Sequence, residues 1–227
     1  MIVYYRLSGV ASSNPSPLYQ SDKRRLNQFC LRSFVTAFRD QDIHMVFIAD
    51  HCGREYDEIL KEIVPFEFDI IYTSEGINAT ALRQYDMAYQ GKDDLILFQE
   101  CDYVYRPSSG KLMVEAIKHY ELVSPYDHPD FYSRYDIHDR ENQIDVFNGH
   151  HYRTAKRNTM TFGMTREALE RQYKILMKYG YLDNEVWSEM KNNGNQLWTP
   201  IPSFATHMAK DFMAPGIPWE AIFKIYE

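Results

Sequence analysis

The chain has 227 residues and a formal net charge of −7, with 44% hydrophobic and 15% aromatic residues. That much apolar material can bury the core of one large domain and excludes a disordered chain. The acidic balance argues against non-specific nucleic-acid binding, which needs a basic face, and no stretch approaches the ~18 apolar residues of a membrane span.

Ile2-Val3-Tyr4-Tyr5 is β-branched and aromatic and predicts a first strand, with Leu7-Ser8-Gly9 as its loop. Ser12–Ser21, rich in Ser, Pro and Asn, predicts a loop able to fold over a site. Leu26, Phe29, Cys30, Ser33, Phe34, Ala37 and Phe38 fall on one face of an amphipathic helix. His44–Ala49 predicts a second strand ending at Asp50, Asp57–Val64 a helix closed by Pro65, and Phe68–Tyr72 a third strand. Ala79–Tyr89 predicts a helix stopped by Gly91, and Leu95–Phe98 a fourth, buried strand. Strands alternating with helices over the first hundred residues predict an α/β fold, a mostly parallel sheet with helices on both faces. Asp50, Ser74 and Asp102 then share the edge formed by the strands' C-terminal ends, where such sheets bind ligands.

Beyond Pro107 the pattern predicts a helix over Ser109–Tyr120, a short strand and a Pro-rigidified loop within Leu122–Asp130, and a polar loop or edge over 131–148. Strand pairing follows within Tyr152–Thr161. Thr165 caps a helix through Tyr179 that carries an i,i+4 pair, Glu167 and Arg171. Another helix begins at Asp183, and Leu197–Trp219 predicts a Pro-punctuated coil. Three cysteines (Cys30, Cys52, Cys101) without metal-type spacing, and a start that enters a strand with no basic-then-apolar leader, point to a reduced, cytoplasmic setting. The Gly-x-Gly-x-x-Gly and P-loop fingerprints are absent.

The chemistry concentrates where the fourth strand ends, at Gln99-Glu100-Cys101-Asp102. Two carboxylates at i and i+2 on a kinked strand end can face one cation. Hard oxygen donors of this kind suit Mg²⁺ or Mn²⁺ that also grips a diphosphate. The plainer alternative is a strand end turning into solvent with two surface acids. Adjacent His150 and His151 on one strand point to opposite faces and cannot easily share an ion.

Gly76-Ile77-Asn78-Ala79-Thr80-Ala81-Leu82-Arg83, a helix, Gly91, an apolar strand and the acid-x-acid Glu100-Cys101-Asp102 together resemble a GT-A glycosyltransferase of the family-2 type. FQECDYVYRP, PSFATHM and MAPGIPW resemble a branch of small bacterial and viral-type members, so the likeness spans nearly the whole chain. Two departures stand out. Glu100 replaces the first Asp of the family's Asp-x-Asp, and Thr80-Ala81-Leu82-Arg83 stands where the family often has Ala-Arg-Asn.

The resemblance implies one GT-A domain over residues 1–227, with a nucleotide-binding half (1–107) and an acceptor-binding half (108–227). It implies Mn²⁺ or Mg²⁺ held by Asp102, His207 and Glu100, the last also a candidate for the ribose or a metal-bound water. It implies a nucleotide-diphosphate sugar donor of the UDP or GDP type, contacted by Arg6, Ser8, Asp50, Asn78 and Arg83. The acceptor is a glycan or glycolipid hydroxyl, and Asp183, with Glu185 second, is the general base of an inverting transfer. Asp127, His128, His150, His151, Tyr152 and Arg153 are candidates on the acceptor side, and Trp187, Trp198 and Trp219 for stacking on a sugar.

Each has a structural alternative: a surface or helix-capping imidazole for His207, a strand-end cap for Asp50, an Asx-turn for Asn78, a helix cap for Asp183 and core packing for the tryptophans. Two further functions remain in view. One is a nucleotidyltransferase, disfavoured because Leu7–Ser21 contains no basic residue for a phosphate loop. The other is a non-catalytic carbohydrate- or partner-binding module on the same scaffold.

Overall fold

The computed structural model describes residues 1–12, 14–133 and 142–227. Of the loop expected over 131–148, residues 134–141 therefore lie outside the described residues, as does Ser13 in the loop after the first strand. The first half alternates as expected: β1 (Ile2–Ser8), α1 (Lys23–Phe38), β2 (His44–Asp50), α2 (Tyr56–Ile63), β3 (Glu67–Thr73), α3 (Ile77–Gln90) and β4 (Leu95–Glu100). Then come β5 (Tyr103–Tyr105), α4 (Ser109–Tyr120), β6 (Leu122–Val123), α5 (Asp130–Ser133), β7 (Ile144–Phe147), β8 (His150–Ala155) and β9 (Phe162–Thr165). The chain ends with α6 (Arg166–Tyr179), α7 (Asp183–Asn192), β10 (Leu197–Ile201), β11 (Ala205–His207), a 3₁₀ turn at Lys210–Phe212 and α8 (Trp219–Phe223). Among the described residues no helix is long and apolar enough to cross a membrane.

One nine-stranded sheet runs in the order β3-β2-β1-β4-β9-β6-β10-β8-β7, and β5 pairs with β11 in a separate two-stranded ribbon. β3, β2, β1 and β4 are mutually parallel; β9 then pairs antiparallel with both β4 and β6. The second half of the chain thus joins the first edge to edge.

Alternation along the strands builds two cores. Val3, Tyr5 and Leu7, with Met45, Phe47 and Leu97, face the side covered by α1, α2, α4 and α8. Ile2, Tyr4, Val46, Ile96 and Phe98 face the side covered by α3, α6 and α7. Strands buried on both faces read as continuous apolar runs, which is why this half was legible.

α1 is the pillar of the first core. Phe34 stacks on Phe38 at 4.5 Å and meets Tyr105 edge-on at 5.4 Å, so the helix grips the ribbon strand β5. Ser33 Oγ accepts from Tyr105 N at 3.1 Å, adding a polar tie to the same strand.

The structure corrects the reading of Leu197–Trp219 as coil. Two prolines hid β10 and β11, because Pro202 separates two short strands rather than abolishing them. β5 was missed for its length. Arg171, expected to pair with Glu167, instead donates to Glu121 at 2.5 Å.

Gly110 in α4 packs on the end of α1, where a Cβ would lie 2.5 Å from the Ala37 carbonyl oxygen and 2.8 Å from Phe38 Cα. Backbone cannot yield as a side chain does, so Gly110→Ala should destabilise the protein by about 1–3 kcal/mol in denaturant titrations. An unchanged midpoint would show that α1 and α4 can separate freely.

Candidate functional site

β2 and β3 lie on one side of β1 and β4 on the other, so the crossover direction reverses at the β1–β4 pair. A crevice opens at such a switch point, beyond the carboxyl ends of the strands. Here it is a cleft of 410 Å³, lined among others by Arg6, Ser8, Lys23, Asp50, Gly76, Glu100, Asp102, Thr159, Tyr181 and His207.

The deepest juxtaposition is made by the ribbon. β11 pairs antiparallel with β5 so that His207 stands opposite Tyr103, and the two rings stack at 5.1 Å. Met208 N donates to the Asp102 carbonyl at 2.7 Å, which fixes the strand end. His207 Nε2 then lies 3.3 Å from Asp102 Oδ2, both side chains largely buried. Burial works against the Asp102 charge, but His207 and Lys23 outweigh it and hold the carboxyl well below its usual range. Burial likewise opposes the imidazolium, and Asp102 outweighs it, raising the His207 value.

Glu100 is placed differently from its expected role as a third ligand. In the β1–β4 register it sits beside Arg6 and accepts from its guanidinium at 2.9 Å, with Thr161 Oγ1 at 3.4 Å from the other oxygen. Burial pushes its pKa up, against the pull of Arg6. Among the described residues no three His, Cys, Asp or Glu side chains converge on one metal position. The physical reason is that a buried guanidinium requires a counter-charge, and Glu100 supplies it. Asp102 and His207 remain as a mixed oxygen–nitrogen donor pair that fits a divalent ion of the Mn²⁺ type, with coordination positions left for diphosphate oxygens and water.

Arg6 is a strut. It donates to the Ile77 carbonyl at 3.0 Å and lies 5.3 Å from the centre of the Tyr181 ring. Asp50 lines the cleft, yet Oδ1 accepts from Thr73 Oγ1 (2.8 Å), Glu75 N (2.9 Å) and Gly76 N (3.2 Å), while Oδ2 meets His51 Nδ1 at 2.9 Å. Its carboxylate therefore shapes the turn into α3, where Gly76 adopts φ +85°, while Oδ2 has His51 as its one hydrogen-bond partner.

Ser8 reaches the cleft with its hydroxyl bonded to Val10 at 3.2 Å. Asn78 is exposed and accepts from Tyr181 N at 3.3 Å, a link between α3 and the start of α7 rather than an Asx-turn. Arg83 lies outside the cleft lining, forked onto Glu75 at 2.6 and 2.8 Å on the surface. Ser74 is exposed and lies outside the lining too.

A second cavity of 180 Å³ adjoins the cleft through the shared Thr159 and is lined by His128, Asp130, Phe131, Arg157, Asn158, Asp183 and Asn184. Burial raises the Asp183 carboxyl above its ordinary value, against the Asn184 amide that donates to it at 2.7 Å. Glu185, by contrast, is exposed and lines neither cavity.

Of the other acceptor-side candidates, Asp127 and Arg153 form a buried pair at 2.5 Å, closed by Tyr132. Tyr152 is core, His151 is exposed, and His150 packs on Phe204. The tryptophans are packing residues: Trp187 sits against Phe162 at 4.9 Å, Trp198 stacks on Tyr120 at 4.5 Å, and Trp219 is buried.

Sequence reasoning missed Lys23, His51, Thr159 and Tyr181, all of which line the cleft. A signal for Lys23 exists. Lys23-Arg24-Arg25 opens α1 after the Asp22 cap with no acid in the first turn, against the preference set by the helix dipole. The absence of a base from Leu7–Ser21 thus does not leave the cleft without a cation, because the following helix provides one.

No family model and no curated protein matches the chain. Solved structures do. The galactosyltransferase LgtC, solved with donor and acceptor sugar analogues, aligns over 88% of this chain and 73% of its own at 11% identity, TM-score 0.53. Residues 1–349 of TarS from S. aureus align over 88% of this chain and 58% of theirs at 12% identity, TM-score 0.50. This chain has a GT-A-like fold. An inositol-1-phosphate CTP transferase from T. maritima also matches, over 89% of each chain at 12% identity, TM-score 0.49. At these identities the likeness concerns the scaffold alone, and the chemistry must be argued from the cleft.

Asp50 generates a stability prediction. Its folded pKa lies below the ordinary 3.8, so its contribution is present above the unfolded value and is lost as pH falls through the folded one. Asp50→Ala should cost about 2–3 kcal/mol at pH 7, by loss of several hydrogen bonds to a largely buried carboxylate. The deficit should shrink in urea titrations below about pH 4. A deficit independent of pH would mean the carboxylate charge plays no part.

Proposed function

We propose that this protein is a divalent-metal-dependent glycosyltransferase. It moves a sugar from a UDP- or GDP-type donor to a hydroxyl of a glycan or glycolipid, with inversion. The observation that carries the reading is the Asp102–His207 pair at the end of a cleft located at the sheet's switch point. Asp102 and His207 would hold the ion, and Glu100 keeps Arg6 in place. When bound, a Mn²⁺ or Mg²⁺ ion neutralises charge that builds on a departing diphosphate.

Asp183 is the base of choice. It lines the cavity next to the cleft, where an acceptor hydroxyl can lose its proton to the carboxylate as that oxygen attacks the sugar. Burial offsets the effect of the helix N-terminus and makes it a better proton acceptor than a surface aspartate. A second reading, nucleotidyl transfer from a nucleoside triphosphate, is favoured by Lys23 in the cleft. Release of nucleoside diphosphate rather than pyrophosphate separates the two.

Asp102→Asn should abolish transfer and lower the melting temperature, because it strands the His207 imidazole without its partner; an unaltered rate in the folded variant ends the assignment. UDP or GDP with Mn²⁺ at a hundred times Kd should stabilise the fold by about 2.7 kcal/mol, visible as a thermal shift that chelation reverses. Because the base acts unprotonated, the rate should rise with pH through a value above the ordinary aspartate pKa of 3.8. Asp183→Asn should cost about 10²–10⁴-fold and remove that limb of the profile. A variant retaining both rate and profile would move the base elsewhere.

A further inference from the structure

We propose that Lys23 makes a direct ammonium contact to the diphosphate of the nucleotide bound in the cleft. The inference rests on reading the cleft as a nucleotide-diphosphate site.

Its first support is position. Lys23 lines the main cleft and also the small cavity beneath the loop after β1, and Asp102 and His207 line both as well. The loop that roofs this corner is tied down by Lys210 N, which donates to the Pro15 carbonyl at 2.9 Å. Of the three bases opening α1, Arg24 and Arg25 are exposed, Arg25 lying over the Tyr19 ring at 4.4 Å; Lys23 alone is drawn inward.

The second support is the charge pattern. Arg6 is matched by Glu100, His51 by Asp50 and His207 by Asp102. Among the described residues Lys23 forms no ion pair of this kind, although it shares the cleft lining with Cys101 and Asp102.

A dianionic group entering beside Glu100 and Asp102 meets two carboxylates. A mobile ammonium on a flexible stem is the side chain suited to follow it as a point charge. A lysine in the first turn of a helix, where the macrodipole disfavours a cation, has its counterpart in an anion bound there.

The test is calorimetric binding of UDP and GDP, and of uridine and guanosine, to the wild type, Lys23→Gln and Lys23→Arg. The expected result is a loss of about ten- to a hundredfold in diphosphate affinity for Lys23→Gln, recovered largely by Lys23→Arg, with nucleoside affinity unchanged. Diphosphate affinity within twofold of wild type in Lys23→Gln overturns the inference alone. Equal loss of nucleoside and diphosphate overturns it too, since the lysine would then only support the fold. If the wild type binds neither diphosphate, the donor reading falls with it. A measurement on the wild type needs no variant to fold: UDP or GDP, but not the nucleoside, should shield Lys23 from reductive methylation while exposed Lys61 stays reactive. Equal modification with and without the diphosphate contradicts the contact.

Discussion

The register of a three-residue ribbon governs the site. Asp102 and His207 are separated by more than a hundred positions, and no local propensity brings them together. β5 and β11 do so by opposing Tyr103 to His207, and Tyr105 in the same strand is gripped by Phe34 and Ser33 of α1. A slip of one residue would turn the imidazole to the opposite face, because side chains alternate along a strand. Core packing around α1 and the geometry of the acidic corner are therefore one constraint: loosen the helix and the donor pair comes apart.

Around that corner the cleft is organised by matched charge. Arg6–Glu100 joins the two strands that flank the switch point, and Asp50 fastens the turn leading into α3. These pairs preorganise walls rather than offer ligands. Buried ion pairs are weak evidence for net stability, yet removing either partner strands the other charge in the interior. On the proposed reading, the groups that meet a substrate are the Asp102–His207 pair, Lys23, and Asp183 in the adjoining cavity. That division between scaffold charges and working charges gives the transferase reading its shape.

The first half of the chain was legible because parallel strands buried on both faces are written as unbroken apolar runs, such as Leu95–Phe98, and their helices as clean stripes, such as Leu26–Phe38. The positions of Asp102 and Asp183 in the fold were legible as well, one in the turn just past a strand and one at a helix start. Four things were not. β5 and β11 span three residues each, below any periodicity, and the prolines around β11 read as coil. Glu100 looked like a ligand because spacing shows which acids are near, not which already answer a buried arginine. Arg83 sat in a family-like turn, but its neighbour Glu75 holds it on the surface. Lys23 escaped because the helical stripe was counted from its first apolar residue, Leu26, and the basic first turn before it was passed over.

The central claim is that the ribbon builds a binding corner for a divalent ion and a nucleotide diphosphate. Electron paramagnetic resonance of Mn²⁺ titrated into the protein, with and without UDP or GDP, tests it most directly. The account predicts a protein-bound Mn²⁺ signal that the diphosphate strengthens and that disappears in His207→Gln. Mn²⁺ binding of the same stoichiometry and affinity in that variant, or none in the wild type with any diphosphate, would contradict it.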